Sequence, residues 1–253
     1  MEYTINASAG CDRGRKRLKN EDNLYFDGKI LSEEHKDLSL FVMDNLRTDA
    51  EPIFGVFDGM GGEERGETAS YIAASTTEEF ARERDSYQVY PGDFLRNLCR
   101  EANLAVCDAC DELEEGRMGS TIVMLYFTAD EVYCCNMGDS KGFRYRNNVL
   151  QQITKDHVEL QPPRSRQKPA ITQYLGVYPE ELTLVPYIAK ANLKRGDIFL
   201  ICSDGLTDVL STNEISDAIK ESISPNQCVE RLIMMANEKG GRDNITIILC
   251  RID

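Results

Sequence analysis

The apolar positions of this 253-residue chain fall into two kinds of run. One kind is short, continuous and rich in β-branched and aromatic residues: Ile53 to Phe57, Thr121 to Phe127, Val132 to Met137, Ile198 to Cys202 and Ile245 to Cys250. Each is bounded by Gly, Asp or Asn, so each reads as a strand, and the near-continuous apolarity predicts burial on both faces. The other kind recurs at steps of three and four. Ala69, Ile72, Ala73, Thr76 and Phe80 form one such series, and Phe94, Leu98, Ala102, Ala105 and Ala109 a second. Ile215, Ala218, Ile219 and Ile223 form a third, followed by Val229, Leu232, Ile233 and Ala236. These spacings predict amphipathic helices, the first with its start near Glu63 and the last two with Asn213 and Pro225 at their starts.

The helices come in two pairs, one before the central strands and one before the last strand. Strands do not alternate singly with helices, which disfavours a doubly wound parallel sheet. The expected fold class is α+β, sheet packed on sheet and flanked by helix pairs, within one domain spanning 1–253. Two polar stretches interrupt the pattern. Gly28 to Glu51 reads as a hairpin or loop excursion. Gln161 to Ala170, with three prolines and Arg164, Arg166 and Lys168, reads as an exposed loop.

Composition narrows the classes. Hydrophobic residues make up 42%, enough for a sizeable core, yet no run approaches the ~20 apolar residues of a membrane span. Met1 to Asn6 carry neither the basic start nor the apolar run of a signal peptide, so a cytoplasmic location is expected. Asp and Glu total 43 against 29 Lys and Arg, and the net charge of −14 argues against a nucleic-acid binder. Several of the nine cysteines, including Cys134, Cys135, Cys202 and Cys250, lie in apolar runs and read as reduced core thiols. Cys107 and Cys110 form a Cys-x-x-Cys pair in a helical stretch, without the second pair or the βαβ setting that a zinc or redox site needs.

Four aspartates stand where an apolar strand stops or starts: Asp58, Asp139, Asp204 and Asp243. Each alone is ordinary turn chemistry. Together, at the rims of buried strands, they could converge, and they would then repel unless cations neutralised them. All-oxygen ligands select Mg²⁺, Mn²⁺ or Ca²⁺ rather than zinc. The glycines of Asp58-Gly59-Met60-Gly61-Gly62 let backbone approach a ligand closely, and the segment matches no nucleotide-loop pattern. Gly14 to Asn23 places four basic residues before Glu21 and Asp22. It reads either as a solvated hairpin turn or as an arginine placed to grip an anion beside a metal site.

These motifs resemble the type 2C metal-dependent Ser/Thr protein phosphatases, the PPM family, over nearly the whole chain. The resemblance runs from Gly14-x-x-Arg17-x-x-Asn20-Glu21-Asp22 through Phe57-Asp58-Gly59-Met60-Gly61-Gly62 and Gly66-Glu67 to Gly119-Ser120-Thr121. It continues with Asn136 to Ser140, Thr154 to His157 and Ser203 to Asp208, and closes with Gly240 to Thr246. Each motif is modest, but seven in order are specific, and Met60 and the short length resemble the bacterial branch. Bacterial relatives usually carry His where this chain has Glu63.

The resemblance implies two packed antiparallel sheets flanked by pairs of antiparallel helices. It also implies two or three Mn²⁺ or Mg²⁺ ions. Asp58 would bridge two of them, with the Gly59 carbonyl on the second and Asp204 and Asp243 on the first. Asp139 would hold a third with Asp204. Glu21 and Asp22 would hold metal-bound waters, and Arg17 would bind the substrate phosphate. The implied reaction is hydrolysis of phosphoserine and phosphothreonine by a metal-bridging hydroxide. The implied partners are phosphorylated proteins, substrates of a Ser/Thr kinase, with no nucleic acid or membrane, and the enzyme is expected to be a monomer. A silent phosphoprotein binder would lack a metal aspartate, and none is missing. A calcium module of EF-hand type would need a spacing that is absent.

Overall fold

A computed structural model describes residues 3–60, 65–84, 89–113, 117–161 and 168–253. In chain order the first elements are β1 (Thr4–Asp12), β2 (Asp22–Phe26), β3 (Ser39–Arg47), β4 (Ile53–Met60), α1 (Gly66–Arg82) and α2 (Pro91–Leu113). Then come β5 (Gly119–Ser120), β6 (Ile122–Phe127), β7 (Glu131–Met137), β8 (Lys141–Arg146), β9 (Val149–Gln152) and β10 (Tyr187–Asn192). The last are β11 (Ile198–Cys202), α3 (Asp204–Thr207), α4 (Thr212–Glu221), α5 (Pro225–Glu238) and β12 (Ile245–Ile252). One sheet has the order β3-β1-β12-β11-β8-β9 and the other β10-β7-β6-β4-β2, with β5 paired to β4. The strand pairings are antiparallel.

The two-faced burial of the strands follows from their alternation. In β4, Phe54 and Val56 enter the core between the sheets, while Ile53 and Phe57 enter the core beneath α1 and α2. In β12, Ile248 and Cys250 face the other sheet, and Ile245, Ile247 and Leu249 face α4 and α5. Three hydrophobic clusters therefore separate four layers: helices, sheet, sheet, helices. Phe127 on β6 meets Phe199 on β11 edge to face, with ring centroids 5.7 Å apart, and so ties the sheets together.

Three expectations change. Gly28 to Glu51 is not only a loop: it holds β3, an edge strand on β1, whose Phe41, Met43 and Leu46 pack on the inter-sheet core. Helix α4 starts at Thr212, one residue before the Asn213 expected at its start, and is capped by Ser211, with Glu214 reciprocating in a capping box. Ile223 lies beyond the helix and is 83% exposed, although its spacing continued the helical series. The helix read from near Glu63 is described from Gly66, and Gly61, Gly62 and Glu63 lie outside the described residues. Cys107 and Cys110, like the other seven cysteines, are free and buried. Among the described residues no helix is long and apolar enough to cross a membrane.

Candidate active site

The antiparallel register carries the strand-end carboxylates to one end of both sheets. Asp22 opens β2 directly opposite Asp58 on β4. In the other sheet, β11 runs out where β12 begins, which places Asp204, the first residue of α3, near Asp243, just before β12. Asp58, Asp139, Asp204 and Asp243 line one cleft of about 200 Å³ with Arg17, Glu21 and Gly59. Of the residues singled out in the sequence, Asp22 alone does not line it. Asp22 lies beneath, 1% exposed, and its Oδ2 accepts the hydroxyls of Ser203 and Thr246, each at 2.7 Å.

Close packing fixes these positions. A side chain at Gly59 would put its Cβ 2.0 Å from the Gly66 carbonyl oxygen and 2.5 Å from that of Glu21, so β4 can run against the start of α1 only with glycine there. Gly138 turns the chain into Asp139 at φ +102°. The basic loop is fastened from the far end of the chain. Asn244 Oδ1 accepts the Glu21 N–H at 2.8 Å, and its Nδ2 donates to the carbonyls of Arg13 at 2.9 Å and Lys19 at 3.0 Å. Asp58 is bracketed by Thr121, whose hydroxyl accepts the Asp58 N–H at 3.1 Å.

The electrostatics are those of crowded anions. Burial pushes the Asp58 carboxyl well above the usual aspartate value, and Asp22, Asp139 and Asp243 push it further. Burial also lifts Asp22 to about 7, against the bonds from Ser203 and Thr246. Burial raises Glu21 too, although Arg17 opposes it. Asp139 Oδ1 is buried without a hydrogen-bond partner.

Among the described residues the cations facing these groups are Arg17 and Lys168. Arg17 Nη1 donates to Glu21 Oε2 at 3.1 Å and Nη2 to Asp243 Oδ2 at 2.8 Å. Lys168 Nζ touches Asp204 Oδ2, lies 3.3 Å from Asp139 Oδ2 and lies 3.6 Å from Asp208 Oδ2. Burial depresses Lys168, but Asp139, Asp208 and Asp58 outweigh that and raise its pKa. With their oxygens so engaged, no three His, Cys, Asp or Glu side chains among the described residues stand ready as a coordination shell. The donor set nevertheless fits hard divalent ions: five carboxylates line the cleft against two cations, all donors are oxygen, and the Asp139 atom is unpartnered.

Neither histidine lines the cleft. His35 sits against Cys11, with Nε2 3.6 Å from the sulfur. The His157 N–H donates to the Gly138 carbonyl at 3.0 Å. Sequence reasoning missed Lys168 as a site residue and the brace at Asn244. Lys168 was visible only as one of three cations in an exposed loop, and its fellows Arg164 and Arg166 lie outside the described residues.

Residues 35–245 match the family model of protein phosphatase 2C. The chain belongs to that family. It is 30% identical over 263 residues to the serine/threonine phosphatase stp of Listeria welshimeri, with 97% of this chain and 95% of that one covered. It is 29% identical over 270 residues to the serine/threonine protein phosphatase PstP of Mycobacterium tuberculosis, a match that covers 100% of this chain and 46% of that protein. The catalytic domain of PstP, solved in complex with two manganese ions, is similar at a TM-score of 0.78 and 24% identity, with 99% of each chain covered. The two-sheet fold expected of a protein phosphatase 2C member is thus the fold of this one.

Proposed function

We infer that this protein phosphatase 2C member is a metal-dependent phosphoprotein phosphatase that hydrolyses phosphoserine and phosphothreonine. The observation that carries the reading is the convergence of Asp58, Asp139, Asp204 and Asp243 in one cleft beside Arg17. Two or three Mn²⁺ or Mg²⁺ ions, when bound, would supply an activated water and positive charge for the phosphate oxygens.

The chain's own residues do the rest. Asp58, the Gly59 carbonyl, Asp204 and Asp243 would hold the two tighter ions, and Asp139 with Asp204 a third. Glu21, on the cleft wall, would orient water. Asp22, beneath it and fixed by two hydroxyls, would do so from below. Arg17 presents a planar fork of N–H donors to the cleft, the geometry that suits phosphate oxygens. The proposed partners are proteins phosphorylated by a Ser/Thr kinase, and the proposed form is one phosphatase domain working as a monomer in the cytoplasm. The net charge of −14 disfavours nucleic acid as a partner.

Release of phosphate from a phosphothreonine peptide tests the reading. Activity is expected with Mn²⁺, loss in EDTA and recovery on adding Mn²⁺ or Mg²⁺. Release that survives EDTA, or no release with either metal, overturns it.

A further inference from the structure

The chain carries a cation of its own in the weaker half of the centre. Asp139 and Asp204 are only 5% and 6% exposed, and a buried carboxylate without a partner is costly. Other nearby cations are committed elsewhere: Arg17 to Glu21 and Asp243, and Lys141 to Asp156 at 2.6 Å. Among the described residues Lys168 alone reaches Asp139, Asp204 and Asp208 together. Its side chain is half exposed, so it comes from solvent and can return there. An ammonium on a flexible four-carbon stem is suited to such exchange, since it carries a compact charge without a rigid bidentate hold.

We propose that Lys168 is a tethered counter-ion that neutralises Asp139 and Asp204 when metal is scarce and competes with the third, weakest ion for those carboxylates. The proposal rests on the metal-dependent reading above. Lys168 thereby sets the metal concentration at which the third site fills. A site blocked by a tethered competitor binds its ligand more weakly, in proportion to the fraction of molecules in which the competitor is out.

Two readouts other than activity test it: calorimetric titration with Mn²⁺ after metal stripping, and thermal melting in EDTA and in Mn²⁺. Lys168→Gln should bind the weakest ion about tenfold more tightly, if Lys168 fills the site in about nine-tenths of wild-type molecules. The tighter ions, of which Asp204 would also hold one, should gain less than the weakest ion does. In EDTA the variant should melt about 2–4 °C lower, and the gap should close in saturating Mn²⁺. Lys168→Arg, which keeps the charge, should keep the low melting shift small, while Lys194→Gln, at an exposed position away from the cleft, should leave both readouts unchanged. Unchanged affinity in Lys168→Gln, weaker binding of the third ion, or a change in only one of the two readouts overturns the proposal, because one contact is asked to produce both. If the wild type binds no Mn²⁺ and releases no phosphate, the phosphatase reading fails and the proposal falls with it. If the wild type does both, a null result at Lys168 condemns the proposal alone.

Discussion

Asp58 lies among like charges that burial has already made expensive. Replacing it should therefore separate stability from function. Asp58→Asn should lose more than about nine-tenths of kcat with Mn²⁺, yet in EDTA near neutral pH it should melt about 2–4 °C higher than the wild type, because the amide spares the fold the cost of holding an aspartate protonated among buried carboxylates. A phosphopeptide assay beside thermal melting checks both halves, and a variant that keeps kcat removes Asp58 from the metal set. Arg17→Ala should lower kcat/KM by about 1–3 kcal/mol, mostly through KM, and Arg17→Lys should recover part of it. Unchanged kcat/KM would move the phosphate grip to Arg15 or Lys19. His157→Gln should cost less than about tenfold in kcat, far short of the ~10²–10⁴ of a lost acid catalyst, because His157 does not line the cleft. At this scale the sequence was most legible where position itself carries chemistry: Asp139, Asp204 and Asp243 lie within two residues of a buried strand's end, and Asp58 lies inside β4, two residues before its last residue. Lys168 was not legible in that way, because its three partners come from two distant segments and nothing in its own neighbourhood names them.

Elements were readable where both faces are buried. The runs that became β4, β6, β7, β11 and β12 contribute to two cores each, so hydrophobicity alone marked them. β3 escaped because it is an edge strand with one face in water: Leu40 and Val42 are 40% and 49% exposed, and Asn45 departs from extended geometry at φ +57°. Helix α4 was read one residue late at its start and two residues too far at its end, each for a local reason. Its true cap is a Ser211–Glu214 side-chain exchange, and Ile223 kept the apolar spacing after Ser222 had left the helix. The joint between β4 and α1 offers the sharpest test at this scale. Gly59→Ala drives a methyl group into two backbone carbonyls, which neither element can move out of the way alone. It should cost about 3 kcal/mol in urea unfolding and loosen Mn²⁺ binding with it. A variant as stable as the wild type would mean that β4 and α1 are less tightly joined than the 2.0 Å approach implies.

For the whole molecule the crowded carboxylates make stability depend on pH and metal together. Asp22, lifted to about 7, and Asp58, lifted well above its usual value, keep protons in the folded state that the unfolded chain has lost. The folded state binds more protons between about pH 4 and about pH 7, so stability in EDTA should fall as pH rises through that window. Thermal melting in EDTA at about pH 5 and about pH 8 checks the sign. Asp22→Asn should flatten the slope, and an equal slope in that variant would assign it to general self-repulsion of the −14 chain instead. Mn²⁺ affinity should rise with pH over the same range, since the ions require deprotonated ligands. The placement of β12 has a consequence for how the protein is made. That strand lies between β1 and β11 in the middle of its sheet, and Asp243 and Asn244 immediately precede it. A chain still on the ribosome that has not reached residue 245 has β1 and β11 without the strand that joins them, and a basic loop without its Asn244 brace. Catalytic competence therefore waits until Asn244 and β12 have been made and have joined β1 to β11, so a nascent chain without them cannot strip phosphate from its surroundings.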